Sequence, residues 1–255
     1  MQKAKYFNIK RFMHLLKREV HINIRRDLLI IGAMYSLFTI TMFLVFEFGE
    51  HGFGQEVLEN FHFVAFTAML FVGGVFITSF SFIELRDKMK SHFYLLTPGS
   101  AFEKFAVNIF ISCIAYVIVM LITYIVYSYL FNWVSFELYD LNFNQLLLSG
   151  SDLLTAIKVF VLVHSIFFLG AVTFKKYPVI ATPIAGFLFL VILSLANKIS
   201  ERIVFSKIEL EKHIANIGFN EFFGQYEFIA EISLFFILPL IFWFVAYLKL
   251  NEKEY

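Results

Sequence analysis

Phe63–Ile83 reads FVAFTAMLFVGGVFITSFSFI, an unbroken stretch without a charge. A helix rises about 1.5 Å per residue, so roughly 20 such residues cross a hydrocarbon core about 30 Å thick, and this segment predicts a transmembrane helix. Five further runs of similar length accompany it: Leu28–Phe46, Phe105–Phe131, Leu153–Phe174, Tyr177–Ala196 and Phe228–Leu248. Lys158 and Glu231 sit within a few residues of the ends of their runs, where long side chains reach the interface, so both are expected to mark boundaries. The composition agrees. Of 255 residues, 60% are hydrophobic, 20% aromatic and only 16% charged, against about 25% charge in an average soluble domain. The expected fold class is an all-α polytopic membrane protein, six transmembrane helices making a single transmembrane domain over residues 1–255. The one cysteine, Cys113, excludes a disulfide framework, and no Cys/His spacing suggests a metal site.

Orientation follows from the basic residues, which concentrate on the cytoplasmic side of membrane proteins. Eight precede the first span, four lie between Arg86 and Lys104, two (Lys175, Lys176) join spans four and five, and two (Lys249, Lys253) follow span six. Only Lys158, Lys198, Arg202, Lys207 and Lys212 fall on the other side, and the loops Gly49–Phe61 and Asn132–Asp152 hold no Lys or Arg. Both termini are therefore expected in the cytoplasm. Residues 1–27 are too charged for the apolar part of a signal peptide, so the first span is expected to remain as an uncleaved anchor. Within them Ile9, Met13, Leu16 and Val20 recur at helical spacing while Lys10, Arg11, Lys17 and Arg18 take the other faces. This is the pattern of an amphipathic helix lying on the inner leaflet, its cations near lipid headgroups, with a partner contact as the other reading.

The most informative loop is residues 84–104. Glu84, Arg86, Asp87, Lys88 and Lys90 come first, then the apolar cluster Phe93-Tyr94-Leu95-Leu96, then Thr97-Pro98-Gly99. Ser100 followed by Glu103 is a capping-box signature opening the third membrane helix. A short mixed-charge helix exposing these aromatic and aliphatic side chains suits a docking surface; a plain hairpin is the competing reading. Residues 198–227 are expected to form a small external cap, where helical and alternating patterns overlap.

Sites for chemistry are scarce. No glycine precedes a lysine, so there is no phosphate-binding loop, and neither H-E-x-x-H nor G-x-S-x-G occurs. The deep parts of the spans hold no Asp or Glu, which speaks against a proton-coupled carrier or an enzyme, and no catalytic or metal-ligating residue is expected. Asn108, Ser112, Thr78, Ser79, His164 and Ser165 are the polar side chains expected to be buried within the spans. His164 is the one titratable group near a span centre: an interhelical hydrogen bonder on the plain reading, part of a translocation path with Asn108 and Ser165 on the functional one. Ala181, Thr182, Ala185 and Gly186, and Gly74 with Thr78, are small-residue pairs that permit close helix packing.

The stretch Phe93-Tyr94-Leu95-Leu96-Thr97-Pro98-Gly99-Ser100-Ala101-Phe102-Glu103-Lys104-Phe105 resembles the ABC-2-type permease subunits of bacterial ABC transporters. So do His164-Ser165-Ile166-Phe167-Phe168-Leu169-Gly170, followed by Phe174-Lys175-Lys176, and the ending Leu248-Lys249-Leu250-Asn251-Glu252-Lys253-Glu254. The resemblance implies a transport subunit of a bacterial plasma membrane, an exporter, with no enzymatic activity of its own. It implies a coupling helix over Glu84 to Leu96 docked on a separate ATPase subunit, with Lys10 to Arg18 close by. ATP and Mg would be held by that ATPase, not by this chain, and two permease chains with two ATPases would form the working unit among membrane lipids, with no nucleic acid. The alternative is an ATPase-independent membrane carrier or an integral-membrane assembly or immunity protein.

Overall fold

The computed structural model describes residues 7–48, 55–141, 150–205 and 231–253. Every regular element among them is helical. Helix α1 spans Ile9–Phe48 and α2 Gln55–Ser79; a 3₁₀ turn at Ile83–Arg86 leads to the short α3, Lys88–Leu96. Helix α4, Ala101–Ile109, passes through a π turn at Phe110–Ala115 into α5, Tyr116–Tyr139. Then follow α6 (Gly150–Thr173), α7 (Pro178–Phe205), a π turn at Ser233–Ile237 and α8 (Leu238–Glu252). Among the described residues six helical rods are long and apolar enough to cross a membrane, counting α4 to α5 as one rod and the second π turn with α8 as another. The chain is a multi-pass membrane protein.

Several boundaries differ from the sequence expectation. The amphipathic segment before the first span is helical, but it continues into that span without a break over 40 residues. At about 1.5 Å per residue this helix is about 60 Å long, twice the hydrocarbon thickness, so its first half extends the span instead of forming a separate surface helix. Nothing between Ile9 and Phe48 stops it, since the stretch has no proline and its lone glycine, Gly32, is only weakly unfavourable. The second helix ends at Ser79, not Ile83, because Phe82 adopts a left-handed backbone (φ 57°). A bulky residue rarely takes that conformation, and here its ring is buried against Phe168, centroids 5.3 Å apart. The third rod runs over Ala101–Tyr139, well past both expected ends. Lys198–Phe205 of the expected external cap continue α7, and residues 206–227 lie outside the described residues.

Helix α6 is the hub, packing on α2, α7 and α8, while α1 leans on α2 and α4. Inside a bilayer water does not drive such contacts, so close van der Waals approach and small residues must. Gly74 supplies one approach: a Cβ there would collide with the Phe160 ring of α6. Gly170 supplies another, receiving the Thr182 side chain of α7, so Thr182 is used within the chain, whereas Gly186 faces open space. Near the far end, Lys158 of α6 and Glu231 are not independent boundary charges but a pair, Nζ to Oε1 2.7 Å.

The core holds an inner cluster of Phe66, Met69, Leu70, Tyr116, Met120, Tyr124 and Phe160, a small one of Phe61 and Phe131, and a second large cluster at the end that carries the first half of α1. This second cluster gathers Phe82, Tyr94, Phe105, Phe168, Val172, Ala246 and Leu250, drawn from the hairpin and from α4, α6 and α8. Because Lys and Arg crowd around it, this is called the basic end below.

Candidate functional site: the α3 hairpin and the polar cluster beneath it

The hairpin is built by local chemistry first. Asp87 N-caps α3, its carboxylate accepting from Met89 N at 2.9 Å. Thr97 closes the helix, its N–H donating to the Tyr94 carbonyl and its hydroxyl to the Phe93 carbonyl. Pro98 and Gly99 turn the chain, and Ser100 opens α4 with a reciprocal box: Glu103 N donates to Ser100 Oγ at 3.2 Å, and Ser100 N to Glu103 Oε2 at 2.9 Å. Two orphan helix donors are satisfied in one motif.

Glu103 does more than the sequence motif indicates. Its side chain has no solvent exposure, and its Oε1 accepts from Asn8 N at 2.6 Å and from Arg11 Nε and NH2 at 3.2 and 3.0 Å. One carboxylate therefore ties the first turn of α1 to the first turn of α4. Arg18 makes a second tie, with NH1 2.6 Å from Glu19 and NH2 bidentate to both Glu84 oxygens at 3.0 and 2.9 Å. Glu19 is buried, and that burial raises its pKa, with Arg18 opposing the shift and Glu84 adding to it.

Tyr94 is the centre of this construction. Only 2% exposed, its ring lies beneath the Arg18 guanidinium (5.8 Å) and the Lys104 ammonium (5.5 Å), and its hydroxyl accepts from Asn108 Nδ2 at 3.3 Å. Burial, with Glu19 and Glu84 next, pushes its hydroxyl well above the ordinary tyrosine pKa. Lys104, itself 2% exposed, donates to the Leu95 carbonyl at 3.0 Å, anchoring the last turn of α3.

The expected docking residues therefore divide. Tyr94 belongs to the core, not to an exposed cluster, because the cations and aromatic rings of the basic end close over it. Leu95 is half-buried against the same cluster. Glu84 turns inward to Arg18, and Arg86, half-buried over the Phe80 ring, donates to the Ser79 carbonyl at the end of α2. Phe93 and Leu96 are open, at 70% and 80% exposure, and so are Lys88 and Lys90. Met89, which sequence reasoning passed over, is 70% exposed and completes a stripe at i, i+4 and i+7 with Phe93 and Leu96. That helical spacing was present in the sequence as a signal, had α3 been treated as a helix with two faces.

Beneath the hairpin, two of the three candidate path residues come together. Trp243 Nε1 donates to His164 Nδ1 at 3.3 Å, and the other ring nitrogen lies 2.9 Å from Ser112 Oγ. Indole can only donate, so Nδ1 is the acceptor; the neutral ring then carries its proton on Nε2 and gives it to Ser112, whose hydroxyl donates to the Asn108 carbonyl at 2.7 Å. Every polar atom of the imidazole is used, linking α4, the π turn, α6 and α8. Ser165 stands apart, its hydroxyl donating to the Leu162 carbonyl of its own helix. Asn108, His164 and Ser165 are 7%, 1% and 0% exposed. Trp243→Phe should remove a single neutral hydrogen bond, costing about 1 kcal/mol of thermal stability in detergent. His164→Phe should cost clearly more, because it removes both imidazole bonds and leaves the Trp243 indole N–H without its acceptor, while Ser112 keeps its bond to Asn108. Equal effects of the two changes would contradict the assigned chain of donors.

A second buried histidine was not singled out from sequence, since it falls just outside the second expected span. His62 is 1% exposed, with Nδ1 3.1 Å from Tyr124 OH and Nε2 2.7 Å from Asn132 Oδ1. Among the described residues no group of three His, Cys, Asp or Glu is placed to hold a metal ion. No protein-family model, curated protein or solved structure matches the chain.

Proposed function

We propose that this chain is the membrane-spanning permease subunit of an ATP-driven ABC transporter of the ABC-2 type. In this reading it works as an exporter in a bacterial plasma membrane, with both termini and α3 in the cytoplasm. The supporting observation is the open Met89, Phe93 and Leu96 stripe, flanked by Lys88 and Lys90, on a helix whose opposite face is locked to α1 and α4. An exposed apolar stripe with a charged rim, on a mount that cannot yield, suits a contact that must transmit force. ATP and Mg belong to the separate ATPase, whose closure moves α3 and, through the Glu103 and Arg18 ties, the ends of α1 and α4 as one body. A second permease chain completes the path.

The test is a chain with Met89→Ser, Phe93→Ser and Leu96→Ser. All three side chains are exposed on the protein surface, so membrane insertion and thermal stability should be unchanged. Interface anchors are typically worth 1 kcal/mol or more each, so a co-expressed ATPase bearing a phosphate loop should no longer be retained on the affinity-tagged chain. Full retention and full stimulated ATP hydrolysis would remove α3 as the docking element and favour a protein that works without an ATPase. A reporter fused after Lys253 should be active only in the cytoplasm; activity outside would overturn the orientation.

A further inference from the structure

A cleft of about 850 Å³ opens at the basic end, walled by α1, the Ile83–Arg86 turn, the start of α3 and the turn between α6 and α7. Five cations line it: Arg86, Lys88, Lys90, Lys175 and Lys176. Its two acids are already engaged, Glu84 by Arg18 and Asp87 by the first turn of α3. None of the four lysines forms an ion pair among the described residues. The Nε of Arg86 is buried without a hydrogen-bond partner. Burial, with Arg26 next, lowers the Arg86 pKa, and burial, with Lys175 and Lys249 next, lowers that of Lys253. Such a cluster, uncompensated among the described residues, calls for an anion.

The cleft is not purely polar. Ile22, Ile83 and Phe93 complete its wall, and they are 47%, 36% and 70% exposed. Its height is also defined. Helix α6 stops at Thr173 and α7 starts at Pro178, so Lys175 and Lys176 stand just past the ends of two membrane-spanning helices, and the cleft brings Lys88 and Lys90 of α3 to the same place. At that level a phosphate lies next to the first carbons of an acyl chain, which matches cations beside an apolar wall. An acidic protein surface would satisfy the lysines but would leave the apolar wall without an occupant at membrane height.

We propose that this cleft binds the headgroup of an anionic phospholipid, its phosphate among Lys88, Lys90, Lys175 and Lys176, and its upper acyl carbons against Ile22, Ile83 and Phe93. The site does not depend on ATPase docking. Phe93 borders both surfaces, whereas Met89 and Leu96 do not line the cleft.

The experiment uses the full chain, purified without partners in detergent, and counts bound lipid by native mass spectrometry during titration with phosphatidylglycerol or phosphatidylcholine. The unmodified chain should retain phosphatidylglycerol preferentially. The fourfold variant K88Q/K90Q/K175Q/K176Q should weaken it about tenfold or more, since each cation near a headgroup contributes substantially. K175Q/K176Q, confined to an exposed turn, should give a smaller loss in the same direction. The fourfold Lys→Arg variant should keep the lipid, and K10Q/K17Q, elsewhere on α1, should leave it unchanged. Undiminished phosphatidylglycerol binding by both glutamine variants would overturn the site. So would equal displacement of the lipid by inorganic phosphate, which would mark a general anion site. Glutamine variants that keep the lipid but lose a co-expressed ATPase would reassign the lysines to a protein partner, overturning the lipid site while leaving the docking reading intact.

Discussion

Tyr94→Ala should lower stability by about 3 to 5 kcal/mol, the range for truncating a large buried aromatic. The ring is covered by the basic-end cluster, so the loss has both a transfer and a cavity part. Two charges lose their ring as well, because Arg18 and Lys104 both lie over it. Tyr94→Phe keeps the ring and loses only the Asn108 bond, about 1 kcal/mol. Phe93→Ala, one residue earlier on the open face, should hardly change stability. Thermal unfolding of the three variants in one detergent is the measurement. A Tyr94→Ala chain as stable as Phe93→Ala would show that Tyr94 does not occupy the core of the basic end.

Glu103→Ala should cost about 3 kcal/mol or more. Asn8 N and Ser100 N both lose their acceptor, each an orphaned donor worth about 1 to 3 kcal/mol when buried, and the α4 cap is halved. Arg11 is one-third exposed and can turn to solvent, which moderates the loss. The change should be local: hydrogen exchange should rise over the first turns of α1 and α4 and stay unaltered in the α5–α6 core. Glu103→Gln retains an acceptor oxygen and should recover part of the stability but not the Arg11 ion pair. Uniform exchange in the Ala variant would mean that the carboxylate does not tie the two helices.

Much of this architecture was legible along the chain because the signals involved are one-dimensional. About 20 uncharged residues announce a span whatever surrounds them, and Ser100 with Glu103 announces a helix start because both partners lie within one turn. The six rods and the capping box of α4 required nothing more. The same signals are poor at ends. Helix α1 has no breaker at the membrane surface, so it continues, and α2 stops at a left-handed Phe82 that no local rule would place there.

Which side of a residue faces the protein was another matter. In the spans, lipid-facing and core-facing positions are equally apolar, so the sequence alone determined how many helices there are but not which faces meet; close approaches such as Gly74 on Phe160 decide that. At the basic end the run Phe93-Tyr94-Leu95-Leu96 has nearly uniform polarity, yet its members differ from 2% to 80% exposure, because Arg18, Lys104 and Phe168 arrive from three other helices to cover one face of α3 and not the other. The long-range partners of Glu103, Lys158 and His164 lie 52 to 95 residues away in sequence. Only the tertiary structure could supply them, since a hydrogen bond or ion pair is set by separations of about 3 Å in space, whatever the distance along the chain.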